Sequence, residues 1–408
     1  MPTPSSRSYW AEFYPIIRLF TAFALLTCGG ATMYVAIIGL KPVAAEFDAT
    51  RAQGSLTYTF LMIGYGAGGI LLGYLSDRLG VMLPALFGCG CLAIGFALAA
   101  GAQSLPVFYF VHSVLLGLLG SSALFAPLVA DISHWFTARR GIAVAIVISG
   151  SYAGGAVWPP AAQYLFDTIG WRATYEAFAW FAILVMAPLT FILVPSRRNM
   201  ELATGGEPET VASKPLGFSP ASLQCLLCFA GLSCCVAMAV PQVHLVAHAT
   251  DLGHSAVDGA RMLALMLACG VVSRLLSGWL SDRIGGLKTL LLGSVLQGLM
   301  LVAFIPFEGL GALYILAALF GLSQGGIVPS YAIIIRSFFA STEAGWRIGA
   351  AIFFTMLGMA LGGWIAGELF DRTGSYTAGF LIGVTFNVWH AAIALWLLRR
   401  AHTLAQPE

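Results

Sequence analysis

Arg274 is the residue whose setting most restricts what this chain can do. It lies in the apolar stretch CGVVSRLLSGWL, one turn before Gly278, and no acidic residue falls within a turn of it. A charged side chain inside a membrane-spanning helix costs about 2.5–3.5 kcal/mol on insertion scales, so it is expected to face a bundle interior and to have a task there. A guanidinium presents a planar fork that fits a carboxylate with two hydrogen bonds. With no resident counter-ion nearby in sequence, the anion is expected to arrive with a cargo. The plainer alternative is that Arg274, about two turns from Asp282, snorkels toward the helix end.

His244, in VPQVHLVAHATDLG, is the second candidate. Imidazole can donate to a carboxylate and titrates near neutral pH, but a hydrogen-bonded packing histidine explains it equally well. His248 stands one turn further on. Tyr34, Tyr58, Ser121, Tyr152, Ser323, Gln324 and Tyr331 are polar residues expected on inward helix faces. Tyr34, Ser121 and Tyr331 join Arg274 and His244 in the expected binding site, although each also reads as a helix–helix hydrogen bond. Lys41 ends the first apolar run, and the stretch before it, MYVAIIG, is uncharged. None of the 18 acidic residues sits at the centre of an apolar run, and Glu176 and Glu368 fall near run ends. A carboxylate proton relay is therefore not expected. Coupling would run through His244, through the cargo's own carboxylate, or by exchange.

Other chemistry finds no support. There is no phosphate-cradling G-x-x-x-x-G-K-[ST] loop and no H-E-x-x-H zinc motif, so no catalytic residue, metal or cofactor is assigned. No basic–aromatic surface suggests nucleic acid. The eight cysteines all fall in apolar runs. Cys225 and Cys228 form a CxxC and Cys234 and Cys235 are adjacent, without a flanking histidine or charge. They read as small packing residues.

The elements that must position these residues follow from composition. Hydrophobic residues make up 59% of the 408-residue chain and charged residues 9%. Ordinary soluble domains carry about 25% charged residues, so most of this surface must face something other than water. Twelve apolar runs, from 16–40 to 376–398, approach the roughly 20 residues needed to span a bilayer. The polar N-terminus shows no cleavable signal peptide. An even number of spans puts both termini on one side. Of the 20 Lys and Arg, fourteen fall on that side, five on the other, and Arg274 on neither. The positive-inside rule makes the termini cytoplasmic. The polar stretch 196–217 reads as a flexible linker between a first unit, 1–195, and a second, 218–408.

The two units repeat each other. GYLSDRLG at 73–80 returns as GWLSDRIG at 278–285, and LFDTIG at 165–170 as LFDRTG at 369–374. GSYAGGAVW at 150–158 resembles GMALGGWIA at 358–366. Near-constant offsets of this kind mark an internal duplication. Asp77, Arg78, Asp282 and Arg283 in the repeated loop, with Asp131 as a partner for Arg78, read as a cytoplasmic latch that holds one conformation.

The doubled G-x-L-S-D-R-x-G resembles the signature loop of the major facilitator superfamily. W-F-x-x-R-R-G at 135–141, D-x-x-G-W-R at 167–172 and SFFASTEAGWRIGA at 337–350 resemble its bacterial monocarboxylate transporter and oxalate/formate-antiporter-like branch. The first loop departs from the pattern after Gly80, with Val81, Met82 and Leu83 where basic residues are usual. The resemblance implies an all-α membrane protein of twelve transmembrane helices in two pseudo-symmetric six-helix bundles, with a carboxylate-binding arginine at Arg274 and a binding histidine at His244. Mammalian relatives carry an aspartate where this chain has Gly270. The function expected is secondary active transport of a small organic anion, a monocarboxylate, by proton-linked symport or anion exchange. The alternatives are an exporter of amphipathic drug-like compounds and a non-transporting membrane receptor. The expected setting is multi-pass in a bacterial inner membrane, as a monomer among lipids, with protons as a second ligand in the symport case.

Overall fold

The computed structural model describes residues 6–136, 140–194, 215–339 and 341–405. Among the described residues every regular element is helical, as a bilayer interior requires, since a helix satisfies its own backbone hydrogen bonds. Eleven helical stretches are long and apolar enough to cross a membrane. One of them, Ile142–Leu193, has 52 residues, far more than the ~30 Å hydrocarbon layer needs at a rise of about 1.5 Å per residue. Gly170, at φ 79° and ψ 164°, breaks it into two crossings. The chain thus makes the twelve crossings that its apolar runs predict.

Spans one to four are Phe13–Ile38, Arg51–Leu79, Met82–Ala100 and Leu105–Ile132; spans five and six are 142–169 and 171–193. Spans seven to twelve are Pro220–Asp251, Ala256–Ile284, Gly286–Ala303, Leu310–Phe338, Ser341–Thr373 and Thr377–Ala405. They form two six-helix bundles, which meet where span two packs on span eleven and span five on span eight. Of the expected linker, all but residues 215–217 lie outside the described residues.

The duplication is visible in the backbone. Gly80 (φ 76°) and Gly285 (φ 86°) turn the chain after spans two and eight; Gly170 (φ 79°) and Gly374 (φ 69°) turn it after spans five and eleven. Glycine reaches this region without a Cβ clash. Two helices are also interrupted at matching places. Span four passes through wide turns over Val111–Gly120 and tight turns over Ser121–Leu124. Span ten stops at Gln324 and resumes at Ile327, around Gly325 and Gly326. Such breaks leave backbone carbonyls without their helical partners, free to meet other groups.

Close backbone approach holds each bundle together. A Cβ at Gly68 of span two would sit 2.1 Å from the Leu118 carbonyl oxygen of span four, and one at Gly321 of span ten 2.0 Å from that of Met266 in span eight. No side chain fits there, so helices pack backbone to backbone where the hydrophobic effect gives no drive.

A valine at Gly170 should destabilise the protein by about 1–2 kcal/mol, the cost of a left-handed conformation for a residue with a Cβ. The same change at Gly69, where an added Cβ would meet no atom within 4 Å, should cost less. Thermal unfolding in detergent, monitored side by side, checks this; equal midpoints for the two variants would contradict it.

Candidate functional site

Arg274 is buried, 7% exposed, at the seam between the bundles. Its Nε donates to the Gly325 carbonyl at 3.3 Å and its Nη1 to the Ile148 carbonyl of span five at 3.2 Å. The guanidinium carbon lies 4.0 Å from the centroid of the Tyr152 ring. These contacts explain each other. The break in span ten frees the Gly325 carbonyl, and Gly270, one turn before Arg274, leaves room for the Tyr152 ring, which a Cβ there would meet at 2.4 Å. All three partners are neutral or quadrupolar, so among the described residues no carboxylate answers the charge. The Tyr152 side chain is also a hydrogen-bonding neighbour of the guanidinium, and Arg274 is buried and not snorkelled to bulk solvent.

The other expected binding residues divide. Tyr34, 2% exposed, shares the electrostatic neighbourhood of Arg274, Tyr152 and Tyr58. Its hydroxyl makes only a long contact, 3.4 Å, to the Ser151 carbonyl. Ser121 begins the tight turns of span four with its Oγ buried and unpartnered. Tyr331 lies apart within the second bundle, its hydroxyl 3.7 Å from Cys234 Sγ. His244 is not brought to Arg274. Its Nε2 donates to the Gly363 carbonyl at 2.7 Å, and its Nδ1 meets the Tyr376 hydroxyl at 3.1 Å. Both nitrogens are thus used in joining span seven to span eleven and to the turn before span twelve, which is the packing role rather than an open binding position.

Among the described residues the expected latch is not engaged at the linker end. Asp131 pairs with Arg18, not Arg78: Arg18 Nε and Nη2 reach its two oxygens at 2.6 and 2.7 Å, and the guanidinium also stacks on Trp135. Span one therefore supplies the partner that the sequence assigned to the loop, because Arg18 lies buried beside span four while Arg78 points outward over the Tyr74 ring. Asp282 and Arg283 are exposed, with Arg283 over Trp279. The Asp77 side chain and the loop 137–139 lie outside the described residues.

Ion pairs between the bundles sit instead at the opposite end. Asp251, at the end of span seven, binds Lys41 Nζ at 2.5 Å and Arg51 Nη2 at 3.3 Å, both from the first bundle. Asp371, ending span eleven, accepts the backbone N–H groups of Arg51 and Ala52 at 2.8 and 2.6 Å, satisfying orphan donors at the start of span two. Among the described residues every ion pair that joins the bundles is at this end. The sequence carried a signal for Asp371, since it is the aspartate of the repeated LFD. It carried one for the break beside Arg274 in the Gly-Gly-x-x-Pro of span ten.

A sequence model of the Major Facilitator Superfamily matches residues 20–310 and 225–408. Monocarboxylate transporter 13 of Rattus norvegicus is 29% identical over 340 residues, 79% of this chain and 74% of that protein. Monocarboxylate transporter 11 of Mus musculus is 30% identical over 340 residues, 80% of this chain and 74% of its own length. The crystal structure of a bacterial homolog of the human lysosomal transporter Spinster, in an inward-facing and unoccupied conformation, superposes with a TM-score of 0.72. It covers 95% of this chain and 97% of that one at 14% identity, a likeness of fold.

Replacing Asp251 by Ala removes the carboxylate that joins the bundles. Half-exposed pairs of this kind contribute roughly 1 kcal/mol, so the ratio of open to closed forms at this end should rise about fivefold. Spin labels at the far ends of spans two and seven should report a longer distance in the variant; an unchanged distance distribution would remove Asp251 from the closure.

Proposed function

The chain belongs to the Major Facilitator Superfamily, and from that premise we propose that it is a secondary active transporter of a small organic anion, a monocarboxylate, working by alternating access. It spans the membrane, and its relatives are transporters rather than enzymes. The observation that carries the choice of cargo is the Arg274 guanidinium, buried at the bundle seam with two carbonyls, one aromatic ring and no carboxylate among the described residues. An uncompensated charge in such a place is costly. A cargo carboxylate offsets that cost and meets the fork at Nη2 and Nη1, after the Ile148 contact is exchanged. Tyr34 and Ser121 are the hydroxyls placed to complete the pocket from the first bundle.

The cycle follows from the same geometry. In this reading both termini are cytoplasmic, the end joined through Lys41, Arg51, Asp251 and Asp371 is the outer one, and closure there belongs to the inward-opening half of the cycle. The loops around Arg78 and Asp282 then act in the other half of the cycle, when the linker end closes. Coupling is by proton symport or by exchange of one anion for another. The engagement of both His244 nitrogens favours a proton carried with the cargo over one held by that ring.

Arg274→Ala should abolish saturable uptake of labelled short-chain monocarboxylates into proteoliposomes while inserting normally. Arg274→Lys keeps the charge but loses the fork, and should weaken transport at least about tenfold. Undiminished saturable uptake by Arg274→Ala would defeat the proposal. Competition by neutral amphiphiles or cations in place of acids would point to export of amphipathic compounds, and binding without flux to a receptor. Repeating the flux with and without an imposed pH gradient separates symport from exchange.

A further inference from the structure

The repeated LFD aspartates are used differently in the two bundles. Asp371 docks on the start of span two and accepts two backbone N–H donors. Its repeat mate Asp167 faces the start of span eight, which is the corresponding helix, but does not dock. Both helices carry their own cap, Thr50 on span two and Ser255 on span eight, so the difference lies in the aspartates and not in the caps. Asp167 receives only the Gln163 amide, at 2.9 Å on one oxygen, and makes no ion pair among the described residues.

What separates Asp167 from span eight is a cavity of about 300 Å³ between the bundles at the sealed end. That volume is at the lower limit of small-molecule sites, about 300–1,000 Å³. Its walls are apolar and come from both bundles: Ile37, Phe166 and Trp171 from the first, Val246 and Ala247 from the second. Lys41 borders it, but its ammonium is held by Thr250 and Asp251. Nearby, Arg172 is paired with Glu46. Lys41, the one cation lining the cavity, and Arg172 beside it are thus both paired, whereas the Asp167 carboxylate at the rim has no cation among the described residues.

We propose that this cavity is a second ligand site, separate from Arg274, for a small amphipathic amine. The apolar body fills the space between Phe166, Trp171 and Val246. The ammonium binds Asp167, taking the role that the start of span two plays for Asp371. Because both bundles supply walls, the site exists only while the far ends are together. An occupant therefore favours the sealed form and slows the transport cycle, by the reciprocity that links any ligand to the state it prefers.

The test is direct equilibrium binding of labelled 2-phenylethylamine to the purified full chain, with phenylacetate as the anionic counterpart. The amine should bind saturably. Asp167→Asn, isosteric and at an exposed position, should weaken it about tenfold, as loss of a charge-assisted hydrogen bond does. Asp251→Ala should weaken it about fivefold by opening the end, and Arg274→Ala should leave it unchanged. No saturable amine binding at millimolar concentration, equal binding by Asp167→Asn, or preference for phenylacetate in the Arg274→Ala variant would overturn the proposal. The last variant keeps the result independent of whether the cargo is an acid.

Discussion

A buried positive charge with no carboxylate partner among the described residues sets the conditions under which the rest of this structure is built. Arg274 cannot be stabilised by solvent, because it is buried, nor by a carboxylate, because none is within its reach among the described residues. The protein holds it with weaker groups: a carbonyl released by the break in span ten, a carbonyl from span five and the face of Tyr152. Two of them, the span-ten carbonyl and the Tyr152 ring, depend on the absence of a side chain elsewhere. Gly325 brings span ten against span eight at a distance where a Cβ would fall 2.4 Å from the Gly270 carbonyl oxygen. Gly270 in turn clears the space for the tyrosine ring. Small residues thus act at two levels here, in packing helices and in exposing the polar backbone that a lone cation needs.

The bundle seam carries opposite kinds of interaction along its length. Near Arg274 the contacts are neutral and leave binding capacity unused. At the far end they are ionic and capped, with Asp251 shared by two cations and Asp371 seated on a helix start. A closure made of a few partly exposed charge pairs is only modestly stable, which suits the proposed cycle, in which this contact is broken at each turn. The linker end lacks such pairs among the described residues, and its arginines lie over Tyr74 and Trp279 instead.

Duplication supplies both bundles with the same parts, and divergence decides their use. Turn glycines recur with the same positive φ, and spans four and ten break at matching points. Yet Arg274 in span eight has no charged counterpart at the matching place in span two, and Asp371 docks where Asp167 does not. An obligatory asymmetry of this kind is what a carrier needs if its cargo is to be gripped mainly from one side.

The sequence alone determined the number of crossings, the duplication and the isolation of Arg274. Bilayer physics writes the first into local composition, repeated motifs record the second, and the third needs only the absence of acids within one helical turn. It left open whether Arg274 snorkels, which partners Asp131 and His244 take, and at which end the bundles are joined. Those were decided by contacts between residues far apart in the chain: Arg18 with Asp131, Lys41 with Asp251, His244 with Gly363 and Tyr376. No local pattern encodes such pairs, because which faces of two helices meet depends on how all twelve pack. A side chain's role in a bundle is therefore settled by its neighbour across the gap, and only the tertiary structure supplies that neighbour.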